Sequence, residues 1–365
     1  MKNIKKNNIL PKVPDHLPFP IEHTLFLDIE TTGFSGSRSR LYLIGAAYVQ
    51  NETLITEQFF AESLDEEPLL LAALEHLSES FDTVVTFYGN RFDLPFMEKC
   101  RERLHLDSVS HNINYVDLYP TARSYKHLFG LANAKQKTLE LFFGHSRKDT
   151  YSGGELIKIY ASYVKDPQPE LLELLLLHNL DDVLGMIHLL SLFTFDAFVN
   201  GGFQPESCTL VSYRKMDGSV GKELSVVCRP DLTLPAVISC KNDHFYLHAK
   251  DGQVCFRITL LEGVLKYFYP NYKDYYYLPK EDMAIHKSVA SYVDASHREK
   301  AKAATCYSKK AGVFLPQYEE VVTPALFTQY KDSVSYFEWT DACKEDRLLI
   351  KRYCLHILQT LKKGS

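Results

Sequence analysis

The sequence predicts an α/β domain with a mixed central sheet flanked by helices, followed by a smaller, β-rich α+β domain. Three observations predict it. Up to about residue 193 the periodic segments run three strands, helix, strand, helix, strand, then helices. After Phe193–Gly202 come short strand-like runs separated by turn signals, at a spacing of roughly ten residues. A chain of 365 residues also exceeds what one hydrophobic core usually serves. The expected division is a leader over 1–22, a first domain over 23–195 and a second over 196–365.

Met1–Pro20 is polar, and no apolar core follows Lys2, Lys5 and Lys6, so it reads as a partly ordered leader rather than a secretory signal. Thr24–Glu30 alternates as a strand and is broken by Thr31-Thr-Gly33. Leu41–Val49 and Thr53–Ala61 form two more strands around the tight turn Gln50–Glu52. Leucines at helical spacing mark Pro68–Leu77. Thr83–Tyr88 is a short β-branched strand, Phe92–Leu106 a helix and Asn114–Leu118 a fifth strand. The longest and most apolar helix is Glu170–Phe193.

The second half reads as strands at Thr209–Arg214, Glu223–Arg229, Ala236–Cys240, His244–His248, Val254–Leu260 and Val264–Tyr269. Asp217-Gly218, Asn242-Asp243 and Asp251-Gly252 supply the turns. This pattern predicts an antiparallel meander or a small barrel. Ser296–Thr305 and Cys343–Lys362 read as helices.

Composition narrows the class. With 45% hydrophobic and 24% charged residues the chain is neither disordered nor built like a membrane protein. No apolar run reaches the roughly 18 residues of a membrane span. Eight cysteines, none in a CxxC pair, read as reduced thiols of a cytoplasmic protein, and Cys228, Cys240 and Cys255 as buried small hydrophobes. Residues 1–200 carry 18 basic and 27 acidic side chains, net −9; residues 201–365 carry 23 and 19, net +4. An acidic first half suits cation binding, and a mildly basic second half suits a phosphate backbone.

The chemistry concentrates in three segments. Asp28 and Glu30 are two apart on a strand, so both carboxylates face one side while Leu25, Leu27 and Ile29 face the other. Two acids on an inward face repel each other and resist desolvation, and a divalent cation relieves both. Asp93 follows a strand end and opens a helix; taken alone, it reads as an acid favoured by the helix dipole. His178 and Asp182 are i and i+4 on the apolar helix and share a face. Taken alone, His178 reads as a satisfied core histidine. Asp181 is the competing acid and is expected to face solvent.

Together these segments resemble the DnaQ-like (DEDD) 3′→5′ exonuclease superfamily of ribonuclease-H-like fold. Asp28-Ile-Glu-Thr-Thr-Gly33 resembles its first motif, Asn90-Arg-Phe-Asp93 its second and His178-Asn-Leu-Asp-Asp182 its third. Asp117-Leu118, Lys137-Thr-Leu-Glu140 and Gly144-His-Ser-Arg147 resemble the linking segments of the YprB-like branch. The resemblance covers about residues 24–190. It implies that Asp28, Glu30, Asp93 and Asp182 hold two Mg²⁺ or Mn²⁺ ions about 4 Å apart. It implies hydrolysis of single-stranded DNA or RNA from a 3′ end, releasing nucleoside monophosphates. The superfamily divides by tyrosine four residues before the last Asp or histidine five before it. Here His178 stands four before Asp182, the spacing of one class with the residue of the other. An imidazole there can act as general base or orient the attacking water.

Candidate substrate contacts are Thr31, Asn90, Arg38, Arg40 and Lys137. Arg38 and Arg40 lie in the loop Ser35–Arg40 beside the first motif and can grip a backbone; a solvated turn reads equally well. Lys266–Lys280 interleaves tyrosines with lysines. That can stack bases, although ordinary strands are the favoured reading. Two alternatives remain: a ribonuclease-H-type endonuclease, or a nucleic-acid-binding protein with a silent site. The Asp-x-Glu pair favours the exonuclease.

Overall fold

The structure, a computed structural model, describes residues 1–107, 112–214 and 217–364. The chain forms two compact units. One comprises Met1–Lys126 and Leu131–Asp196, the other His127–Gly130 and Ala197–Ser365.

The first unit contains, in chain order, β1 (Lys2–Asn8), β2 (Thr24–Thr31), β3 (Leu41–Gln50), β4 (Thr53–Phe60), α1 (Glu67–Ser78), β5 (Thr83–Thr86) and α2 (Asp93–Leu104). Next come β6 (Asn114–Asp117), α3 (Leu118–Tyr125), α4 (Gln136–Phe142), α5 (Gly153–Lys165), α6 (Pro169–Leu189) and α7 (Ser191–Val199), which runs into the second unit. The six strands form one mixed sheet in the order β1-β4-β3-β2-β5-β6. β2 pairs parallel with β5, and β5 with β6, while the other pairings are antiparallel.

The stretch expected as a leader contributes a strand to this sheet. Lys2–Asn8 pairs along its whole length with β4. Its sequence hides the strand because Ile4 is its only apolar residue. Lysine and asparagine suit an edge strand, where they discourage further pairing.

Helices pack against both faces of the sheet centre, which is largely buried. Leu25, Leu27 and Val84 face Leu74 of α1 and Leu94 and Met97 of α2. α6 lies over the opposite face, that of Asp28. Gly45, opposite Asp28 on β3, makes this approach possible: a Cβ there would stand 2.1 Å from Asn179 Oδ1.

α6 and α7 occupy the stretch expected as one helix, with a break at Leu190. Pro169–Val199 is long and apolar enough to cross a bilayer by length and composition, but most of its apolar window is buried within the fold. Its hydrophobicity serves the core.

The second unit contains β7 (Phe203–Arg214), β8 (Val220–Pro230), β9 (Ile238–Lys241), β10 (Phe245–Lys250), β11 (Gln253–Thr259), β12 (Leu261–Phe268), β13 (Tyr275–Leu278), β14 (Met283–His286), α8 (Lys287–Ala290), β15 (Glu299–Lys300), β16 (Tyr307–Gln317), β17 (Ser335–Glu338), α9 (Asp341–Glu345) and α10 (Arg347–Lys363). It is neither a single meander nor a barrel. The main sheet is open, in the order β7-β8-β11-β10-β9, with two three-stranded sheets, β12-β16-β17 and β14-β13-β15. Alternation along β8, β10 and β11 gave the strands. The pairing of β8 with β11 is non-local and leaves no mark in local spacing.

One helical expectation fails here and another is interrupted. Ser296–Thr305 is a short turn capped by Asp294, then β15 paired with β13. Its alanines and charges favour helix locally but offer no apolar face to bury. Cys343–Lys362 divides at Asp346, which is extended and accepts the Leu349 N–H at 2.9 Å, capping α10.

The tyrosines of Lys266–Lys280 form a small core. Tyr269, Tyr272, Tyr275 and Tyr277 pack against Ala284, Ala301 and Cys306, with the Tyr269 and Tyr275 rings stacked at 4.6 Å. Cys228 and Cys240 are buried and Cys255 partly so; all eight cysteines are free thiols. The single tryptophan, Trp339, directly succeeds β17, is half-buried, and donates its backbone N–H to Val313 O at 2.8 Å.

Candidate active site

Three separate segments meet on the α6 face of the sheet. β2 supplies Asp28 and Glu30, held on one side by strand alternation. Asp93, buried at the start of α2, accepts the Ile29 N–H at 3.2 Å, which ties the helix start to the strand between the two acids. α6 supplies His178 and Asp182 one turn apart. His178 Nε2 lies 3.1 Å from Asp182 Oδ2 and 3.5 Å from Glu30 Oε1.

A further set of side chains positions these groups. Asn179 donates to Asp28 Oδ2 at 2.9 Å, and its own Oδ1 accepts from Gln58 at 2.8 Å. Its position over Gly45 fixes it between sheet and helix. Asp149 accepts at 2.7 Å from His178 Nδ1 and at 2.8 Å from Lys137 Nζ. Arg147 clasps the carboxylate of Glu140 through Nε and Nη2, and its Nη1 lies 2.7 Å from Asp182 Oδ1. Gln136 braces Glu140 at 2.9 Å and donates to the Asp182 carbonyl at 2.7 Å. Gly185 leaves room for this clasp, since a Cβ there would stand 1.8 Å from Glu140 Oε1.

The candidate substrate contacts are more dispersed. Thr31 is buried and donates its hydroxyl to Gly33 O at 2.9 Å. Asn90 is exposed, in a loop whose backbone N–H groups at Tyr88 and Asn90 donate to Asp117. Arg38 is exposed. Arg40 Nε lies 3.8 Å from the buried Glu67, which Arg103 also binds. Lys137 is engaged with Asp149 and the Tyr151 carbonyl. Asp181 does not face solvent: it is buried and accepts the N–H groups of Lys148 and Asp149 at 2.9 and 2.8 Å. Adjacent acids on a helix point about 100° apart, so both find work here, one at the acid cluster and one anchoring the loop that carries Asp149.

Sequence reading missed Asn179, Asp149 and the Arg147–Glu140 clasp. Asn179 stands inside the third motif, and Glu140 and Arg147 end two of the three linking segments, so a signal existed for these. Asp149 carried none.

Burial first, then Asp182, Asp93 and Glu30, push the Asp28 carboxyl well above the usual range. Burial raises Glu30 to about 8, against the opposing pull of His178. Burial raises Asp93 to about 7. Asp182 differs. Burial works against its charge, but His178 and Arg147 outweigh it and hold its carboxyl below the usual range. Burial likewise disfavours a charged His178, yet Asp182, Glu30 and Asp149 hold its pKa above the ordinary value. Among the described residues no lysine or arginine pairs with Asp28, Glu30 or Asp93. An oxygen-rich cluster of desolvated acids, three of them with no lysine or arginine beside them, fits divalent cations.

Acids with raised pKa hold protons that a cation must displace, so cation binding strengthens as pH rises. Mn²⁺ affinity measured by calorimetry is expected to climb by up to about tenfold per pH unit per displaced proton between pH 6 and 8. The Glu30 share of this rise should fade above about 8, where that carboxyl is ionised.

Residues 25–194, a little under half of the chain, match the RNase_H superfamily model. These residues form a ribonuclease-H-like domain, and additional antiparallel sheets follow it in the rest of the chain. No curated protein matches the chain. Among solved structures, the family B DNA polymerase of the archaeon Pyrobaculum calidifontis is similar with a TM-score of 0.40 and 14% identity, over 72% of this chain and 38% of that one. The zinc-bound complex of E. coli exonuclease I with single-stranded DNA is similar with a TM-score of 0.29 and 15% identity, over 57% and 54%. A product-bound exonuclease I gives 0.30 and 15%, over 57% and 58%. The chain therefore spans between about two fifths and three fifths of the length of these structures.

Proposed function

We propose, on the premise that residues 25–194 form a ribonuclease-H-like domain, that the protein is a metal-dependent nuclease acting as a 3′→5′ exonuclease on single-stranded DNA or RNA. The carrying observation is the convergence of Asp28, Glu30, Asp93 and Asp182 from three segments into one cluster in which, among the described residues, no lysine or arginine pairs with the first three. Asp117-Leu118, Lys137–Glu140 and Gly144–Arg147 support assignment to the YprB-like branch, since two of the three contribute to the network around Asp182 and His178.

Asp28, Glu30, Asp93 and Asp182 would hold two divalent cations, Mg²⁺ or Mn²⁺. Such ions lower the pKa of an attacking water and stabilise a leaving 3′ oxygen. The chain's own residues keep the four acids in place. Asn179 fixes the Asp28 rotamer, Ile29 N–H holds Asp93, and Arg147 holds Asp182. Asp117 gathers the backbone of the Tyr88–Asn90 loop and leaves Asn90 at the surface to meet a terminal nucleotide. Arg38, exposed beside the first motif, would meet a backbone phosphate.

The test is cleavage of 5′-labelled single-stranded DNA and RNA with Mn²⁺, Mg²⁺ or EDTA. A metal-dependent ladder shortening from the 3′ end is expected, and the two substrates report the sugar preference. Internal cuts would replace the exonuclease by an endonuclease. Retained binding of both substrates without cleavage would make the protein a nucleic-acid-binding one.

A further inference from the structure

His178 is where the first-motif and third-motif acids meet, and its two ring nitrogens face different partners. Nδ1 is 2.7 Å from Asp149 Oδ2. That carboxylate is 1% exposed and is itself fixed by Lys137 Nζ and by the Tyr151 N–H. Asp149 thus favours a proton on Nδ1 and leaves the Nε2 lone pair free in the neutral ring. Nε2 points between two carboxylate oxygens, Asp182 Oδ2 at 3.1 Å and Glu30 Oε1 at 3.5 Å. The three ligand atoms lie within 4.8 Å of one another.

Those separations have a chemical meaning. Donors bound to one ion at about 2.0–2.2 Å stand roughly 3.0 Å apart at octahedral angles and roughly 3.5 Å apart at tetrahedral ones. The observed 3.1 and 3.5 Å fall on these values. A histidine whose far nitrogen is held by a buried carboxylate is also the usual arrangement of an imidazole metal ligand, in which the carboxylate sets the tautomer and the ring orientation. A general base needs the opposite geometry, with Nε2 open to a water beside the substrate. Here the ring is 7% exposed and its free nitrogen faces only acids.

We propose that Glu30, His178 and Asp182 together ligate one divalent cation through His178 Nε2, with Asp149 as the positioning residue behind the ring, and that this mixed nitrogen–oxygen set selects a first-row transition ion over Mg²⁺. The inference deepens the nuclease reading at the same site. Carboxylates alone accept Mg²⁺ well, whereas an imidazole shifts preference toward Mn²⁺, Co²⁺ or Zn²⁺. The spacing of four between His178 and Asp182 is the means: one helical turn puts both donors on one face.

The test uses the full chain, stripped of metal, without nucleic acid. Mn²⁺ and Mg²⁺ are titrated by calorimetry, and the Mn²⁺ complex is examined by pulsed electron paramagnetic resonance for coupling to a directly bound ¹⁴N. The parent protein is expected to bind Mn²⁺ at least about tenfold more tightly than Mg²⁺ and to show imidazole coupling. His178→Gln, which keeps an oxygen donor and the side-chain length, should lose the coupling and most of the Mn²⁺ preference. Asp149→Asn should keep the coupling and weaken Mn²⁺ binding by about 10–100-fold. A parent Mn²⁺ complex without nitrogen coupling would overturn the assignment even if His178→Gln failed to fold. So would His178→Gln with the parent's Mn²⁺ preference. Nitrogen-coupled Mn²⁺ in a protein that cleaves nothing would uphold the ligand set and sink the nuclease reading; cleavage without coupling would do the reverse.

Discussion

The double variant Asp28→Asn/Glu30→Gln is expected to lose cleavage by at least about 10³-fold and, in EDTA at pH 8.5, to melt later than the parent. The two effects have one cause. The folded chain holds Asp28 and Glu30 away from water and close to other acids, so it resists their ionisation. Glu30 has its pKa raised from 4.5 to about 8. Stability from such a shift is fully present below 4.5 and is lost as pH rises through 8. At pH 8.5 the parent has lost it, while the amides have nothing to ionise. A gain of about 2–4 °C in melting temperature per kcal/mol recovered is the expected scale. Added Mn²⁺ should raise the parent's melting temperature and leave the variant's almost unchanged. A variant that cleaves as the parent does would remove Asp28 and Glu30 from the active site. Equal melting temperatures in EDTA would show that the acids are not strained in the ion-free chain.

Arg147→Met is expected to be the most destabilising single change in the first unit, by about 3–5 kcal/mol. Glu140 is fully buried, and Arg147 is the only basic group clasping it among the described residues. Removing the guanidinium strands a carboxylate in the core and releases Asp182 from its Nη1 contact. Glu140→Gln/Arg147→Met should recover at least half of the loss, because the buried charge goes with its partner. Denaturant unfolding of the parent, both single variants and the double variant would measure the coupling. If Arg147→Met costs less than about 1 kcal/mol, the clasp is an ordinary surface pair.

The legible part of the molecule was what local spacing controls. Alternation showed that Asp28 and Glu30 share a face, and helical spacing showed the same for His178 and Asp182. Five of the six strands of the first sheet and the apolar core of α6 came from the same periodicities. Features that local spacing does not control were missed. β1 is polar because it is an edge, so it carries no hydrophobic signature. β8 reaches β11 across intervening strands. The burial of Asp181 depended on the loop around Asp149, whose backbone N–H groups take it out of solvent. Asp149 itself lies 29 residues before His178 and becomes its partner only through the tertiary fold.

The position of Trp339 makes the chain its own optical reporter. The only indole fluorophore belongs to the second unit, while the acid cluster and its clasp lie in the first. Emission excited at the red edge of the absorption band therefore tracks the unfolding of one unit alone. Far-ultraviolet ellipticity registers both. If the two traces separate in Arg147→Met and coincide in the parent, the lesion is confined to the half that carries the chemistry, and the halves melt as independent cooperative blocks.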